Sequence, residues 1–345
     1  MSEPFRPRLG RPRADARALA ALGCVATAVF LAVPTSVTPR NVGLPDAPRA
    51  PGATVAHLEE RAARAERTMR EAESALSAAK RAAGVASEAG ADTSGLIGGE
   101  WTPLVTTLGS LEAKRIAATP VWAAVLTRQM AAAGVGPGDL VAAGFSGSFP
   151  GLNLAVMAAA DALGADVIAI SSVTASTWGA NQPGFTWPEM ECRLAPALFR
   201  RSTIAVTAGG ADDSVRDLEP EGRQLAQSIR DATAQCLGAA ALQPTGFEDA
   251  VQQRLSAYRR AANGRAIALY VNVGGTSASL GESPAVLRLK SGFVAPAPFD
   301  RSDRRGVMAR FAEQGVRVLT LLNVRDLAVR WGIPLTAPPA DRQGP

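Results

Sequence analysis

Histidine is nearly absent from this sequence: among 345 residues the only one is His57. A single histidine leaves little room for a histidine-rich metal site, and a Ser-His-Asp triad would have to use this one residue. Three cysteines cannot build a disulfide scaffold or a four-thiolate metal site. Neither a P-loop segment nor a dinucleotide-binding glycine motif occurs. The sequence therefore predicts no metal site and no cofactor.

The formal net charge of +5 is concentrated near the N-terminus. The first 17 residues contain five arginines and two acidic residues, which accounts for +3 of the +5. The rest of the chain is therefore close to neutral. Nucleic-acid binding requires a broad basic face, so this distribution predicts no nucleic-acid partner.

An uncharged stretch of 22 residues, 18–39, follows this basic tail and begins with the apolar run Ala18–Val33. About 20 apolar residues span a bilayer core as a helix, so the run is just long enough. The arginines ahead of it predict a cytoplasmic tail at 1–17, a single-pass signal-anchor at 18–39 in the cell (inner) membrane, and an extracytoplasmic body. A cleaved signal peptide and an ordinary buried helix are the alternatives.

The region 40–94 combines a Pro- and Arg-rich linker with a helical pattern. Small and apolar residues recur there at alternating spacings of four and three: Leu58, Ala62, Ala65, Met69, Ala72, Leu76 and Ala79. This seam predicts one helix from about Ala53 to Ala83, interpreted as a membrane-proximal stalk through which a homo-oligomer could form. The alternative is that the Ala-rich seam packs against the protein's own domain.

Short β-branched apolar runs alternate with helix-like segments across residues 95–333, which predicts an α/β domain. The predicted strands are Leu140–Phe145, Val167–Ser172, Thr203–Thr207, Ile267–Val273 and Val316–Leu322. The predicted helices are Ser110–Ala133, Gly151–Leu163, Pro188–Phe199, Glu219–Leu237, Phe247–Ala262, Asp303–Gln314 and Val324–Trp331. Helix-length segments between strands imply right-handed crossovers and a mostly parallel sheet flanked by helices. Residues 334–345 are predicted to form a flexible tail.

Small polar residues follow most of the predicted strands, and in an open parallel sheet such positions meet at the carboxyl edge, where ligands bind. Backbone N–H groups, hydroxyls and helix N-termini gathered there suit carboxylates or phosphates. The expected ligand-binding residues are Thr106, Thr107, Ser146, Ser148, Asn153, Asn181, Asn272, Gly274 and Gly275. The alternative is that these residues only form turns and helix caps or, for the two threonines, a strand.

The segment Gly144–Ser148 approaches the G-x-S-x-G nucleophile elbow, although it ends in serine. No histidine follows His57 to act as its base. Lys114 could serve instead, which makes Ser146 and Lys114 the candidate catalytic residues of a histidine-free hydrolase or transferase. Because nothing in the sequence brings the two together, a non-catalytic protein is the preferred expectation.

Two further pairs of residues leave alternatives open. Cys192 and Cys236 either form a disulfide, if the domain is exported, or are small buried apolar residues, which is the default expectation. Asp212 and Asp213 could hold a hard cation, but adjacent carboxylates in a turn are usually just solvated.

Five segments of the α/β region carry a resemblance to a known family. They are Thr102–Arg115 (TPLVTTLGSLEAKR), Gly144–Asn153 (GFSGSFPGLN), Ser171–Trp187 (SSVTASTWGANQPGFTW), Asn272–Gly281 (NVGGTSASLG) and Leu321–Arg325 (LLNVR). In these residues the chain resembles the poly-gamma-glutamate system protein family, a membrane-associated component that accompanies bacterial poly-γ-glutamate synthesis. The resemblance implies association with a polyglutamate ligase and a small membrane subunit, but it assigns a role to no single residue.

Two functions follow as expectations, and a structural scaffold whose polar loops only form turns is a third possibility. The first is a membrane-anchored accessory subunit of poly-γ-glutamate biosynthesis or export, which binds the anionic polymer or assembles the synthase and leaves ATP-dependent ligation to a partner. The second is a Ser/Thr-dependent hydrolase or amide transferase that acts on poly-γ-glutamate.

Overall fold

The computed structural model describes residues 55–85, 90, 92–195, 197–200, 202–283, 286, 289–294 and 304–335. The predicted cytoplasmic tail at 1–17, the signal-anchor at 18–39, the start of the linker and most of the C-terminal tail lie outside these described residues. Within them, no helix is both long enough and apolar enough to cross a membrane.

The predicted strands are all present in the described part of the chain, with bounds that agree to within one residue. In chain order the strands are β1 (Val105–Thr107), β2 (Leu140–Phe145), β3 (Asp166–Ser172), β4 (Ala175–Ser176), β5 (Asn181–Gln182), β6 (Phe185–Thr186), β7 (Thr203–Thr207), β8 (Ala240–Ala241), β9 (Ile267–Val273), β10 (Gly292–Phe293) and β11 (Arg317–Leu321). The α-helices are α1 (Val55–Ala82), α2 (Leu111–Ala117), α3 (Val121–Ala132), α4 (Pro150–Leu163), α5 (Trp187–Leu194), α6 (Pro220–Leu237), α7 (Phe247–Ala262), α8 (Ser277–Leu280), α9 (Val307–Glu313) and α10 (Val324–Trp331).

The central sheet has seven strands in the order β10–β11–β9–β2–β3–β7–β8. All of them pair in parallel except β10, which is antiparallel at one edge. The chain enters this sheet at β2. It then adds β3, β7 and β8 on one side of β2, and afterwards β9 and β11 on the other side. Helix α4 covers one face, and α7 and α9 cover the opposite face. The predicted mostly parallel sheet flanked by helices is therefore confirmed, and its order reverses between β2 and β9.

Strand β2 shows why the core strands are apolar along their whole length. All six of its residues are buried. Val141 and Ala143 face the core on the α4 side, whereas Leu140 and Ala142 face the core on the α7 side. Because helices cover both faces of the sheet, neither set of alternating positions can be polar.

Helix α1 packs along its own domain, which corrects the interpretation of this region as a projecting stalk. The seam residues Ala65, Met69, Ala72 and Leu76 are fully buried and join the core against α3 and α4. The helix belongs to the same compact unit as the sheet. The seam, through which a homo-oligomer was considered possible, is therefore occupied by the protein's own helices, as the alternative interpretation had it.

The single helix predicted for Ser110–Ala133 is divided into α2 and α3. Pro120 has no N–H group to donate to the carbonyl of Ile116, four residues earlier, so an unbroken helix cannot pass this point. The Ile116 carbonyl accepts instead from Trp122 Nε1 and from Thr119 Oγ1, both at 2.8 Å. Two other helices are shorter than predicted, since α5 ends at Leu194 and α9 begins at Val307.

Cys192 on α5 and Cys236 on α6 form a disulfide, with their Cα atoms 6.3 Å apart. The default expectation, two unpaired buried cysteines, is therefore wrong. The sequence could not supply the separation of the two Cα atoms, which depends on how α5 and α6 pack beside the sheet.

Candidate functional site

The loops that follow the parallel strands meet at one edge of the sheet, which we call the carboxyl edge. Backbone hydrogen bonds join them directly. The Ser146 N–H donates to the Val273 carbonyl at 3.3 Å, and the Gly274 N–H donates to the Leu321 carbonyl at 2.9 Å. The reversal of strand order between β2 and β9 also lies here, at the position where open α/β sheets bind ligands.

Three residues from separate loops form what we call the lysine–serine cluster: Lys114 on α2, Ser148 after β2 and Ser176 on β4. Lys114 Nζ donates to Ser176 Oγ at 2.7 Å and to the Ser148 carbonyl at 2.5 Å. The Ser176 N–H donates to Ser148 Oγ at 3.0 Å. The Lys114 amine therefore links two loops through their neutral oxygen atoms.

Lys114 is an unusual lysine because its side chain is buried in an uncharged environment. It is 4% exposed, and its Nζ lies 3.9 Å from the centre of the Phe149 ring. Among the described residues, no carboxylate lies within ion-pair distance of it. Burial lowers the pKa of the Lys114 amine from 10.5 to about 7. A large fraction of the amine is therefore unprotonated at neutral pH.

Local structure fixes both partners of this contact. Ser110 caps α2 by accepting from the Ala113 N–H at 3.4 Å, which sets the start of the helix that carries Lys114. Strand β4 pairs in parallel with β1, and this pairing places Ser176 beside Thr107.

Ser146 is not among the hydrogen-bond partners of Lys114 in the described part of the chain. Its hydroxyl accepts from the Ser148 N–H at 3.1 Å, and its carbonyl accepts from Asn153 Nδ2 at 2.9 Å. The structure therefore replaces Ser146 with Ser176 as the serine beside Lys114. The sequence did not indicate Ser176 as the partner, because the partial elbow motif at Gly144–Ser148 favoured Ser146, which lies in a different loop.

Most of the other expected ligand-binding residues hold the loops together. Asn181 clamps Gly99, accepting from its N–H at 2.9 Å and donating to its carbonyl at 2.8 Å. Asn272 Nδ2 donates to the Gly274 carbonyl at 2.6 Å. Thr106 and Thr107 lie in β1, as the alternative interpretation of the two threonines expected.

Glycine at two expected positions permits close packing. A methyl group on Gly274 would lie 3.0 Å from Ser146 Cβ, and one on Gly275 would lie 2.1 Å from a Leu280 methyl carbon. These glycines bring the loop after β9 against its neighbours. Their observed role is therefore structural.

Four residues form a second group, which we call the arginine–aspartate cluster: Arg254, Asp213, Thr207 and Ser279. Arg254 Nε and Nη2 donate to the two carboxylate oxygens of Asp213 at 2.6 and 2.8 Å. Both side chains are 1% exposed. Asp213 Oδ1 also accepts from Thr207 Oγ1, and Ser279 Oγ accepts from Arg254 Nη1. A bidentate, fully buried ion pair of this kind holds α7 to the carboxyl edge.

The cation site considered for Asp212 and Asp213 is not what the structure contains. Asp213 is held by Arg254, and Asp212 pairs with Arg216 and accepts from Ser277 Oγ. Across the part of the chain that the structure describes, no group of His, Cys, Asp or Glu residues is arranged to hold a metal ion.

The sequence does contain a signal for Arg254. It lies within the apolar stripe of α7, where residues at spacings of three and four are buried: Phe247, Ala250, Val251, Ala257 and Tyr258. A charged residue in such a stripe implies a buried partner of opposite charge.

Two cavities border charged groups of the described residues. A small one of about 10 Å³, room for about one water molecule, adjoins Lys114 and is lined also by Phe149 and Trp178. A larger open cleft of about 240 Å³ lies at the opposite, amino-terminal edge of the sheet, beside Asp166 and Arg200. Only the first lies among the loops predicted to bind a ligand.

No family model, curated protein or solved structure matches this chain. The geometry of the carboxyl edge, together with the five segments that converge there, is therefore the basis for inferring function.

Proposed function

We propose that the protein is a membrane-anchored accessory subunit of poly-γ-glutamate synthesis or export, and that it holds the anionic polymer at the carboxyl edge, outside the membrane. A polyglutamate ligase and a small membrane subunit would be its partners. The observation that carries the proposal is that the segments resembling the poly-gamma-glutamate system protein family, although distant in sequence, contact one another at this edge.

The contacts join these segments directly. Lys114 of the first segment donates to Ser148 of the second and to Ser176 of the third. Arg325 of the fifth segment pairs with Glu112 of the first at 3.4 Å. Segments that resembled the family only through common core packing would not be expected to share one surface. Their convergence supports a role in handling a ligand.

Exposed arginines give the carboxyl edge a way to attract a carboxylate polymer. Arg216 follows β7 and Arg325 lies in the first turn of α10. Each pairs with a neighbouring carboxylate, that of Asp212 or Glu112, but their side chains remain 60% and 46% exposed. Arg200 is a matched arginine at the opposite edge, beside the start of β7, with a side chain that is 87% exposed. Attraction between exposed charges weakens as salt is added, so polymer binding at this edge should be salt-dependent.

The disulfide between Cys192 and Cys236 supports an exported body. Disulfides persist in oxidising compartments and are rare in the cytosol, where thiols are kept reduced. This agrees with the arrangement proposed from the N-terminal sequence, in which residues 1–17 are cytoplasmic and residues 18–39 anchor the chain.

The binding proposal is tested by calorimetric titration of the full-length protein with a γ-linked glutamate oligomer at low and high salt. We expect the Arg216→Ala/Arg325→Ala variant to bind about tenfold more weakly, since exposed ion pairs contribute up to about 1 kcal/mol each. Arg200→Ala is the matched control and should bind as the wild-type protein does. Absence of binding by the wild-type protein, or an equal loss in the control, would contradict the proposal.

A second candidate function is favoured by one specific observation. The hydrogen bond between Lys114 Nζ and Ser176 Oγ resembles the contact between a general base and a nucleophile, which is what a hydrolase or amide transferase without histidine requires.

A further inference from the structure

We propose that Ser176 is a nucleophile and Lys114 its general base, in a site that cleaves or transfers γ-glutamyl amide bonds. The choice of γ-glutamyl substrate rests on the function proposed above. The lysine–serine pair does not depend on the substrate, since it rests on the geometry and burial of the two side chains.

The geometry meets the first requirement for a base and a nucleophile. Lys114 Nζ and Ser176 Oγ are 2.7 Å apart, within the range over which a proton passes between heavy atoms. Both side chains are buried, at 4% and 5% exposed. The pair is therefore held in a fixed position and shielded from solvent.

Lysine suits this position better than arginine does. The sequence has 36 basic residues, and only Lys80, Lys114 and Lys290 among them are lysines. An arginine stays protonated in proteins, whereas a lysine amine loses its proton when it is buried without a counter-charge. Burial lowers the pKa of the Lys114 amine to about 7, so an unprotonated amine is available as a base near neutral pH.

The reaction can be written with each proton assigned. Unprotonated Lys114 Nζ takes the proton from Ser176 Oγ as Oγ bonds to the amide carbon of the substrate. The carbon–nitrogen bond then breaks, and the leaving nitrogen takes the proton from Lys114. A water molecule attacks the resulting Ser176 ester and gives a proton to Lys114. The bond between the acyl carbon and Oγ then breaks, Ser176 Oγ takes the proton back from Lys114, and the released carboxylic acid loses its proton to solvent. Attack by an amine instead of water would transfer the acyl group to a new amide.

The turn at residues 108–110 covers Ser176. A methyl group on Gly109 would lie 2.8 Å from Ser176 Oγ, so the turn rests directly on the hydroxyl. Thr177 Oγ1 holds the turn by accepting from the Gly109 N–H at 2.6 Å and donating to its carbonyl at 2.9 Å. Leu108, at the outside of the turn, is 63% exposed. Substrate would reach Ser176 when this turn moves outward.

The pair is tested with an alkyl fluorophosphonate, which reacts with an activated serine by forming an Oγ–phosphorus bond and releasing fluoride. Intact mass and peptide mapping of the full-length protein should place one adduct on Ser176. Ser176→Ala should abolish it, and Lys114→Met should slow its formation about 10²–10⁴-fold. Ser228→Ala, on the exposed face of α6, is the matched control and should label like the wild-type protein.

Two further measurements separate a catalytic pair from a structural contact. The labelling rate should rise with pH and level off above about pH 7, as Lys114 loses its proton. Thr177→Val, which frees the turn, should label faster than the wild-type protein. Thermal unfolding of each variant verifies that it is folded. An adduct lost in Ser146→Ala but retained in Ser176→Ala would overturn the assignment of the nucleophile.

The results also distinguish this inference from the proposed function. If the protein binds γ-glutamate oligomers but Ser176 forms no adduct, the catalytic pair is overturned and the binding function stands. If Ser176 forms the adduct but the oligomers neither bind nor shorten, the γ-glutamyl substrate is overturned and the pair stands. Labelling of Ser176 together with shortening of the polymer supports both.

Discussion

Two buried basic side chains lie at the same edge of the sheet in opposite electrostatic surroundings. Arg254 meets the carboxylate of Asp213 with two hydrogen bonds. Among the residues that the structure describes, Lys114 Nζ donates only to neutral oxygens, those of Ser148 and Ser176. Although burial alone lowers the pKa of the Arg254 guanidinium, the neighbouring Asp213 carboxylate raises it above its ordinary value. Burial lowers the pKa of Lys114, and no carboxylate offsets the effect.

The difference separates a structural contact from a reactive one. A buried cation that is paired with a carboxylate keeps its charge and holds two elements together. A buried amine without such a partner exchanges its proton near neutral pH, which is the property that a general base needs. The arginine–aspartate cluster is therefore expected to determine stability, and the lysine–serine cluster is expected to determine activity.

The largest effect on stability is expected from Arg254→Met. This change leaves the Asp213 carboxylate buried without its partner, which costs about 3–5 kcal/mol. Chemical denaturation of the wild-type and variant proteins measures the difference in the free energy of unfolding.

The double variant Arg254→Met/Asp213→Asn is the control for this experiment. It removes both charges, and asparagine tolerates the positive φ of 59° at position 213. It should recover part of the lost free energy of unfolding. A loss below about 1 kcal/mol in Arg254→Met would mean that the ion pair does not stabilise the edge.

An intermediate effect is expected from pH, through Lys114. Between about pH 7 and pH 10.5 the unfolded chain carries a proton on this amine that the folded chain has lost. Stability rises with pH wherever the unfolded state binds more protons, so the free energy of unfolding should increase across this window. The slope is at most about 1.4 kcal/mol per pH unit, and the increase between pH 7 and 9 should be about 2 kcal/mol. Below pH 7 both states are protonated, and the dependence ends.

Lys114→Met isolates this contribution, because it retains an apolar side chain but cannot titrate. The difference between the wild-type and variant free energies of unfolding, measured at several pH values, removes the contribution of all other groups. A difference that stays constant from pH 7 to 9 would show that Lys114 remains charged. Lys114 and Arg254 would then not differ in protonation state at neutral pH.

The fold was largely predictable because its signals are local. Continuous apolar runs such as Leu140–Phe145 have the length of strands covered on both faces, and the segments between them have the length of helices. The exceptions needed three-dimensional information. The α1 seam at Ala65 and Met69 has the same spacing whether it meets another copy or the protein's own α3 and α4. Pro120 indicates the break between α2 and α3, but the helical pattern on both sides of it favoured a single helix.

The location of the candidate site at the carboxyl edge was predictable from the sequence, but the side-chain contacts within it were not. Parallel strands place their carboxyl ends together, so the convergence of polar loops followed from topology. Which serine meets Lys114 depends on the pairing of β1 with β4, two strands of only three and two residues. Strands this short leave no periodic pattern, so the sequence favoured Ser146 over Ser176.

The smallest difference in stability is expected between alanine substitutions at two glycines. Gly144 lies beside the arginine–aspartate cluster, and Gly109 lies beside the lysine–serine cluster. A methyl group on Gly144 would lie 2.8 Å from the Tyr270 hydroxyl, and this ring is stacked on Phe311 at 4.7 Å and cannot move aside. Gly144→Ala should therefore cost about 1–3 kcal/mol in thermal or chemical unfolding. A methyl group on Gly109 would lie equally close to Ser176 Oγ and to the Thr177 carbonyl, but residues 108–110 are at the surface and can shift outward as a unit. Gly109→Ala should cost less than Gly144→Ala, and equal losses would show that the two clusters are equally rigid.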